Sequence, residues 1–300
     1  MHYYSIHGLL VESDILLDSI TPIEKNHINS NIDVQIKLST ISGEEPNYFE
    51  PTLLVKKISA QDIWISLPDI AKFRVFNGSL IEIAPYDHSE KQSVLLYLFG
   101  SIFATLLYQR GALVLHANAI EIDGKAILFA GDSGSGKSTT AAIFHTKGFK
   151  VISDDVISIN NKIRIDGGFP QIKLFKDSLT NLNIPDNNLT PIYHQEEKYF
   201  YPLVCDSQSK SLDIAAIFII EKAPKTYPNQ LSIENVDGIQ RFNLLMKNTY
   251  RNELIDGLKI RKEHLNLCSK LSKKVQMAKI IRPTTYFSGY DLVNKIMANL

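Results

Sequence analysis

The segment Gly131-Asp132-Ser133-Gly134-Ser135-Gly136-Lys137-Ser138-Thr139 has the residue types and spacing needed to grip phosphate. It fits G-x-x-x-x-G-K-[ST]. Its three glycines let the backbone turn so that N–H groups face one point. A helix opening at Lys137 adds unpaired N–H groups and a dipole. In such a loop the lysine reaches the β and γ phosphates of a nucleotide, Ser138 offers its hydroxyl to Mg²⁺, and Thr139 helps to close the turn. ATP or GTP, with Mg²⁺, is the expected ligand, and the loop alone does not name a reaction.

Two carboxylates, Asp154 and Asp155, follow within 18 residues of Lys137, a gap that fits a helix, a turn and a return strand. They close the run VISDD, and ligands of open α/β sheets bind beyond the carboxyl ends of strands. Adjacent carboxylates there can divide the work, one on Mg²⁺ and the other taking a proton from an incoming hydroxyl. A capping or turn pair is the plainer alternative. His116 lies in the apolar run VLHANAI, where a lone histidine is ordinarily a core residue. Asn118 points to the same side if that run is a strand. The other histidines form no metal signature, and Cys205 and Cys268 match no metal spacing and read as reduced thiols.

The elements that must position these groups can be read from periodicity. Lys125–Ala130 is a strand running into the loop, preceded by a strand within Gly111–Ile122 and a turn at Asp123-Gly124. Ser138–Thr146 is the helix after the loop and Phe149–Ile152 the return strand. Val156–Ile159 and Lys162–Ile165 form a hairpin around Asn160-Asn161. Ile214–Ile220 reads as a central strand. Phe242–Leu258, Leu265–Val275 and Phe287–Leu300 read as helices. The polar stretch 176–210, with Pro185, Pro191 and Pro202, reads as a mobile loop or lid. Residues 1–90 read as a small β-rich domain with strands at Val34–Leu38, Thr52–Val55 and Ile63–Leu67, and a hairpin at Phe73–Ile83 around Asn77-Gly78. Residues 91–300 then make the second domain.

The composition is 44% hydrophobic and 21% charged, enough for a sizeable core. Thirty-two basic residues balance 32 acidic ones, so net charge gives no support for nucleic-acid binding. The uncharged run Val94–Tyr108 is shorter than the roughly 20 residues of a membrane span and carries Gly100, Ser101 and Thr105. It is expected to be a buried helix. The start, MHYYSIHGLLVESD, has no basic region followed by an apolar run, so no signal peptide and a cytoplasmic location are expected.

The stretch Leu115–Ile159 resembles the catalytic core of the bacterial HPr kinase/phosphorylase family: His116 in the strand before the hairpin, GDSGSGKS in the loop, Lys147-Gly148, then Asp154-Asp155. The likeness covers roughly 45 residues strongly. It implies an α/β fold with the P-loop nucleotide-binding core that this family shares with phosphoenolpyruvate carboxykinase, and a small β-rich N-terminal domain. The implied reaction moves the γ-phosphoryl of ATP to a serine hydroxyl. The implied catalytic residues are Asp154 as base, His116 near the transferred group, and Lys137; Ser138 and Asp155 would hold Mg²⁺. The family's glycine-rich acidic segment is replaced by Ile165–Leu174, where Asp166 is the acidic residue at hand, and its basic C-terminal segment is missing. Phosphorylase activity is therefore not expected. The layout resembles a divergent branch that includes kinases tailoring lasso peptides, which makes a peptide, a protein or a small hydroxyl compound the expected acceptor. A homo-oligomer remains open, as does a nucleotide-binding regulatory module with little or no kinase activity.

Overall fold

The computed structural model describes residues 1–18, 20–28, 30–40, 54–169, 171–192, 197–203, 211–224 and 229–299. The first part is a seven-stranded sheet of β1 (His2–Ile6), β2 (Leu9–Ser13), β3 (Val34–Leu38), β4 (Leu54–Ser59), β5 (Asp62–Leu67), β6 (Ala71–Phe76) and β7 (Leu80–Pro85), in the order β1-β2-β3-β7-β6-β5-β4. Alternation sets its faces: Ala71, Phe73 and Val75 are buried while Lys72, Arg74 and Phe76 are not. Asn77 and Gly78 both take left-handed angles, φ 52° and 61°, as the tight β6–β7 turn requires. Of the expected strand Thr52–Val55, Thr52 and Leu53 lie outside the described residues.

The buried face of this sheet meets one long helix, made of α1 (Lys91–Tyr97), a π-helical turn at Leu98–Ile102, and α2 (Phe103–Gln109). It contains the expected helix Val94–Tyr108. By length and composition it could cross a membrane, but most of its residues are buried within the protein. Leu98, Ile102, Phe103 and Leu106 share an apolar cluster with Tyr4, Phe73 and Ile83 of the sheet and with Val114, Val156 and Phe169 from the second part.

The second part holds β8 (Leu113–Ile122), β9 (Lys125–Ala130), α3 (Lys137–Thr146), β10 (Lys150–Ser153), β11 (Val156–Ile159), β12 (Arg164–Ile165), β13 (Gln171–Phe175), α4 (Lys176–Asn181), β14 (Thr190–Pro191), β15 (Lys198–Pro202), β16 (Leu212–Lys222), β17 (Ser232–Asn235), α5 (Ile239–Lys247), α6 (Glu253–Gly257), α7 (Arg261–Lys274), β18 (Gln276–Arg282) and α8 (Gly289–Met297). At its centre β9, β16 and β18 run parallel, with β16 in the middle. Both faces are covered. Leu128, Ala130, Ile217, Ile219 and Met277 pack with Leu244, Leu245, Leu267 and Leu271 of α5 and α7. Ile127, Phe129, Phe218, Ile220 and Ile280 pack with Ile143, Phe144, Leu292 and Ile296 of α3 and α8. Double cover is why β9 and β16 read as unbroken apolar runs.

Two expected elements differ. The single helix over Phe242–Leu258 is broken into α5 and α6. Residues 248–250 instead bond to β8: His116 N–H donates to Asn248 O (2.8 Å), Tyr250 N–H donates to Val114 O (3.0 Å), and Leu115 and Thr249 form a β-bridge. The Asn248 and Thr249 side chains turn back to Leu244 O and Leu245 O and close α5. In the stretch expected to be a loop or lid, the described residues include α4 and the strands β14 and β15, which pair as β13-β15-β14, with irregular chain over 182–189 between them. Cys205 lies outside the described residues, and Cys268 is a buried free thiol.

Candidate active site

The glycine loop leaves β9 at Ala130, beside the carboxyl ends of β16 and β18, and enters α3. Gly131, Gly134 and Gly136 have φ of 144°, 71° and 107°, where a side chain would be strained. A Cβ on Gly131 would also run into Ile220 O. Lys137 is buried and its Nζ donates to Gly131 O (2.8 Å) and Asp132 O (3.2 Å), which holds it over the loop. An ammonium has three donors, so one remains for a phosphate oxygen. Burial lowers the Lys137 pKa. Arg282, at the end of β18, donates to Ser135 O (2.5 Å) and Gly134 O (3.2 Å) and fixes the outer turn. Asp132 is exposed and pairs with Lys247 at 3.2 Å, and the Thr139 hydroxyl bonds Ser178 Oγ of α4 at 2.8 Å.

A cleft of about 890 Å³ opens along the loop and brings together Lys137, Ser138, His116, Asp155, Lys173 and Tyr250. Of the two carboxylates Asp155 lines it, while Asp154 lies behind Ser138. Asp154 is 5% exposed; it accepts from the Ser138 hydroxyl (3.2 Å) and from the Lys173 N–H (3.0 Å). Burial, then the charge of Asp155, pushes Asp154 up to about 7. Asp155 takes a left-handed φ of 70° and faces the cleft, with Lys173 Nζ at 2.7 Å and His116 Nε2 at 3.5 Å. Burial opposes its charge, but Lys173 and His116 hold its carboxyl well below the usual range. The resemblance pairs Ser138 with Asp155; in the structure the Ser138 hydroxyl bonds Asp154.

The turn that carries this pair is locked from below. Ser153 Oγ donates to Val156 O (3.0 Å) and accepts the Phe169 N–H (3.3 Å). A Cβ on Gly168 would collide with Ser153 Oγ and come within 2.9 Å of His7 Cε1. His7, from the β1–β2 turn, is buried, and its ring meets Phe169 edge-on at 5.2 Å. The N-terminal sheet therefore presses directly on the residues beside Asp154. Asp166 does not line the cleft; it packs where Gly8 has no Cβ and accepts from Asn160 Nδ2 (3.3 Å).

His116 meets the Tyr250 ring edge-on at 5.9 Å. Asn118 is fully buried, and neither amide atom has a partner among the described residues. Sequence reading missed Lys173, Tyr250, Arg251, Lys222, Lys198 and Arg282, all in the cleft wall. Lys222 could have been found as the first cation after the expected apolar strand Ile214–Ile220. Arg251 is left-handed (φ 48°) and donates to Ser101 Oγ at 3.1 Å, so the long helix supports this wall.

Among the described residues no three His, Cys, Asp or Glu side chains could cage a metal ion. Mg²⁺ does not need such a cage: it takes one or two carboxylates, waters and substrate phosphates. Ser138 and Asp154 offer adjacent oxygens beside the phosphate loop and fit that demand.

No family model matches this chain, and no curated protein matches it. Among solved structures, the HPr(Ser) kinase/phosphatase from Coxiella burnetii aligns with a TM-score of 0.31 and 11% identity, over 62% of this chain and 89% of that chain. This is a distant likeness of mixed α/β architecture, too weak to single out a branch of that family.

Proposed function

We propose that this chain is an ATP-dependent phosphotransferase that moves the γ-phosphoryl to a hydroxyl of a peptide, a protein or a small molecule, serine first among them. The reading is carried by the meeting of Lys137, Ser138 and Asp155 in one cleft beside His116 and Lys173, with Asp154 bonded to Ser138 behind it. The loop N–H groups and Lys137 bind the phosphates. Ser138 and Asp154 would hold Mg²⁺, which neutralises charge on the phosphate oxygens. Asp155 orients the acceptor hydroxyl and takes its proton as the new O–P bond forms and the β–γ bridge breaks, leaving ADP. A carboxylate of low pKa suits a loose transfer, in which the proton leaves late. His116 steadies Asp155, and Lys173 offsets charge on the moving group. These contacts favour exchanging the roles that the resemblance gives Asp154 and Asp155.

The test is transfer of γ-labelled phosphate from ATP to a peptide library, with products located by mass, in the parent and in Lys137→Ala. Labelled products in the parent alone are expected. Equal ATP affinity and equal transfer in both would sink the reading. Binding without transfer to any acceptor would make the chain a nucleotide-responsive module.

A further inference from the structure

One end of the cleft carries groups that phosphate chemistry does not use. Ser288 stands at the N-cap of α8, where a serine ordinarily bonds a backbone N–H of the first turn. Here its side chain makes no capping bond. The residue is 1% exposed, its Oγ has no partner among the described residues, and it lines the cleft. A buried hydroxyl left in this way gains a bond when a ligand supplies one.

Beside it, Phe287 also lines the cleft. Its ring folds back over Gly289: a Cβ there would lie 2.6 Å from Phe287 Cζ and 2.7 Å from Ile143 Cδ1. Glycine at 289 is what lets the ring settle on α3. Leu292 adds an apolar wall one turn along α8. Ile143 is five residues along α3 from Ser138, about 7.5 Å at the helical rise. A sugar spans that gap between a phosphate and a base. The pocket thus offers a flat apolar face, an apolar wall and one free hydroxyl at the right remove from the phosphate loop.

We infer that the pocket between α3 and the first turn of α8 receives the base of the nucleotide, stacked on Phe287 with its polar edge on Ser288 Oγ. This rests on the reading of Gly131–Ser138 as the phosphate site. A hydroxyl both donates and accepts, so Ser288 serves the edge of adenine or guanine alike.

Calorimetry on the full chain with two ligands, Mg·ATP and inorganic triphosphate with Mg²⁺, tests it in the parent, Phe287→Ala and Ser288→Ala. ATP is expected to bind more tightly than triphosphate to the parent. Phe287→Ala should weaken ATP on the order of tenfold, the worth of one base stacked on an aromatic ring, and leave triphosphate unchanged. Ser288→Ala should weaken ATP less, while leaving the free protein's thermal midpoint unchanged or raised, because it removes an unpaired buried hydroxyl. That variant keeps the test open should Phe287→Ala fold poorly. Unchanged ATP affinity in Ser288→Ala and Phe287→Ala overturns the inference, and so does an equal loss for both ligands. A raised KM for the acceptor with that for ATP unchanged would give the pocket to the acceptor and overturn it too. A parent that binds neither triphosphate nor ATP would instead bring down the phosphate-site reading, and this inference with it.

Discussion

In the N-terminal sheet, left-handed residues fall at chain reversals: His7-Gly8 between β1 and β2, Asp69 between β5 and β6, Asn77-Gly78 between β6 and β7. The second part has turns of the same kind, such as Asp123-Gly124 between β8 and β9. It also has a second set in Gly131, Gly134, Gly136, Asp155 and Arg251, all in the phosphate loop or the cleft wall. One region uses the strained backbone to reverse the chain. The other uses it to aim N–H groups, a carboxylate and a guanidinium at a common space. Strain that connects strands can be relieved at modest cost, whereas strain that aims groups cannot be relieved without losing the aim.

The largest effect should come from the aimed carboxylate. Asp155→Asn is expected to cut phosphoryl transfer about 10²–10⁴-fold at saturating Mg²⁺ while nucleotide affinity holds, the usual worth of a positioned base. Asp154→Asn should raise the Mg²⁺ concentration needed for half-maximal rate. Rates measured across a Mg²⁺ series decide it: the opposite pattern would restore Asp154 as base and Asp155 as metal ligand.

A pair of glycines tests the comparison through stability. Gly131→Ala meets both an unfavourable φ and the Ile220 carbonyl, and should cost more than about 3 kcal/mol in urea unfolding. Gly124→Ala meets only a left-handed φ of 72°, with nothing within 4 Å of the added carbon, so about 1 kcal/mol is expected. Equal costs would erase the distinction between the two uses of strain.

His7 crosses the boundary between them, a turn residue whose ring is wedged under the carboxylate pair. Burial pushes its pKa down to about 3. The native state then refuses a proton that the unfolded chain accepts below about 6.5, so its contribution is complete above that pH and is lost as pH falls toward 3. Between pH 7 and pH 5 the loss is about 2 kcal/mol. His7→Asn, which tolerates the left-handed angle (φ 51°), should flatten the pH dependence of the unfolding midpoint by that amount. An unchanged slope would mean that the ring takes no part in acid sensitivity.

The phosphate loop and the two carboxylates were legible because a contiguous motif and a strand end carry them, whereas His116, in mid-strand, was singled out only by the resemblance. The loop, His116 and Asp155 line one cleft, and Asp154 sits behind it on Ser138. Lys173, Tyr250 and Arg282 were not legible, because each sits alone on its element and no spacing announces it. The break between α5 and α6 was hidden for a related reason. The run Phe242–Leu258 has helical periodicity throughout, and what interrupts it is a set of backbone bonds to β8, more than a hundred residues earlier in the chain. Local pattern also left open which carboxylate reaches Ser138, since adjacent residues differ there only by the sense of one turn.

The π-helical turn at Leu98–Ile102 sets the angular phase of the long helix. A π turn holds about one residue more than an α turn, and each residue turns an α-helix by about 100°. Gly100 lies in that turn, and a Cβ on it would come within 3.0 Å of the Tyr250 hydroxyl. Ser101 holds Arg251. Removing a single residue from this turn would restore plain α winding and rotate Phe103–Gln109 by about a quarter turn relative to Lys91–Tyr97. The two halves of the helix would then be out of step where they share the N-terminal sheet's apolar cluster, and Gly100 and Ser101 would be turned away from Tyr250 and Arg251. A substitution along this helix changes a volume, whereas its length there is counted to the residue.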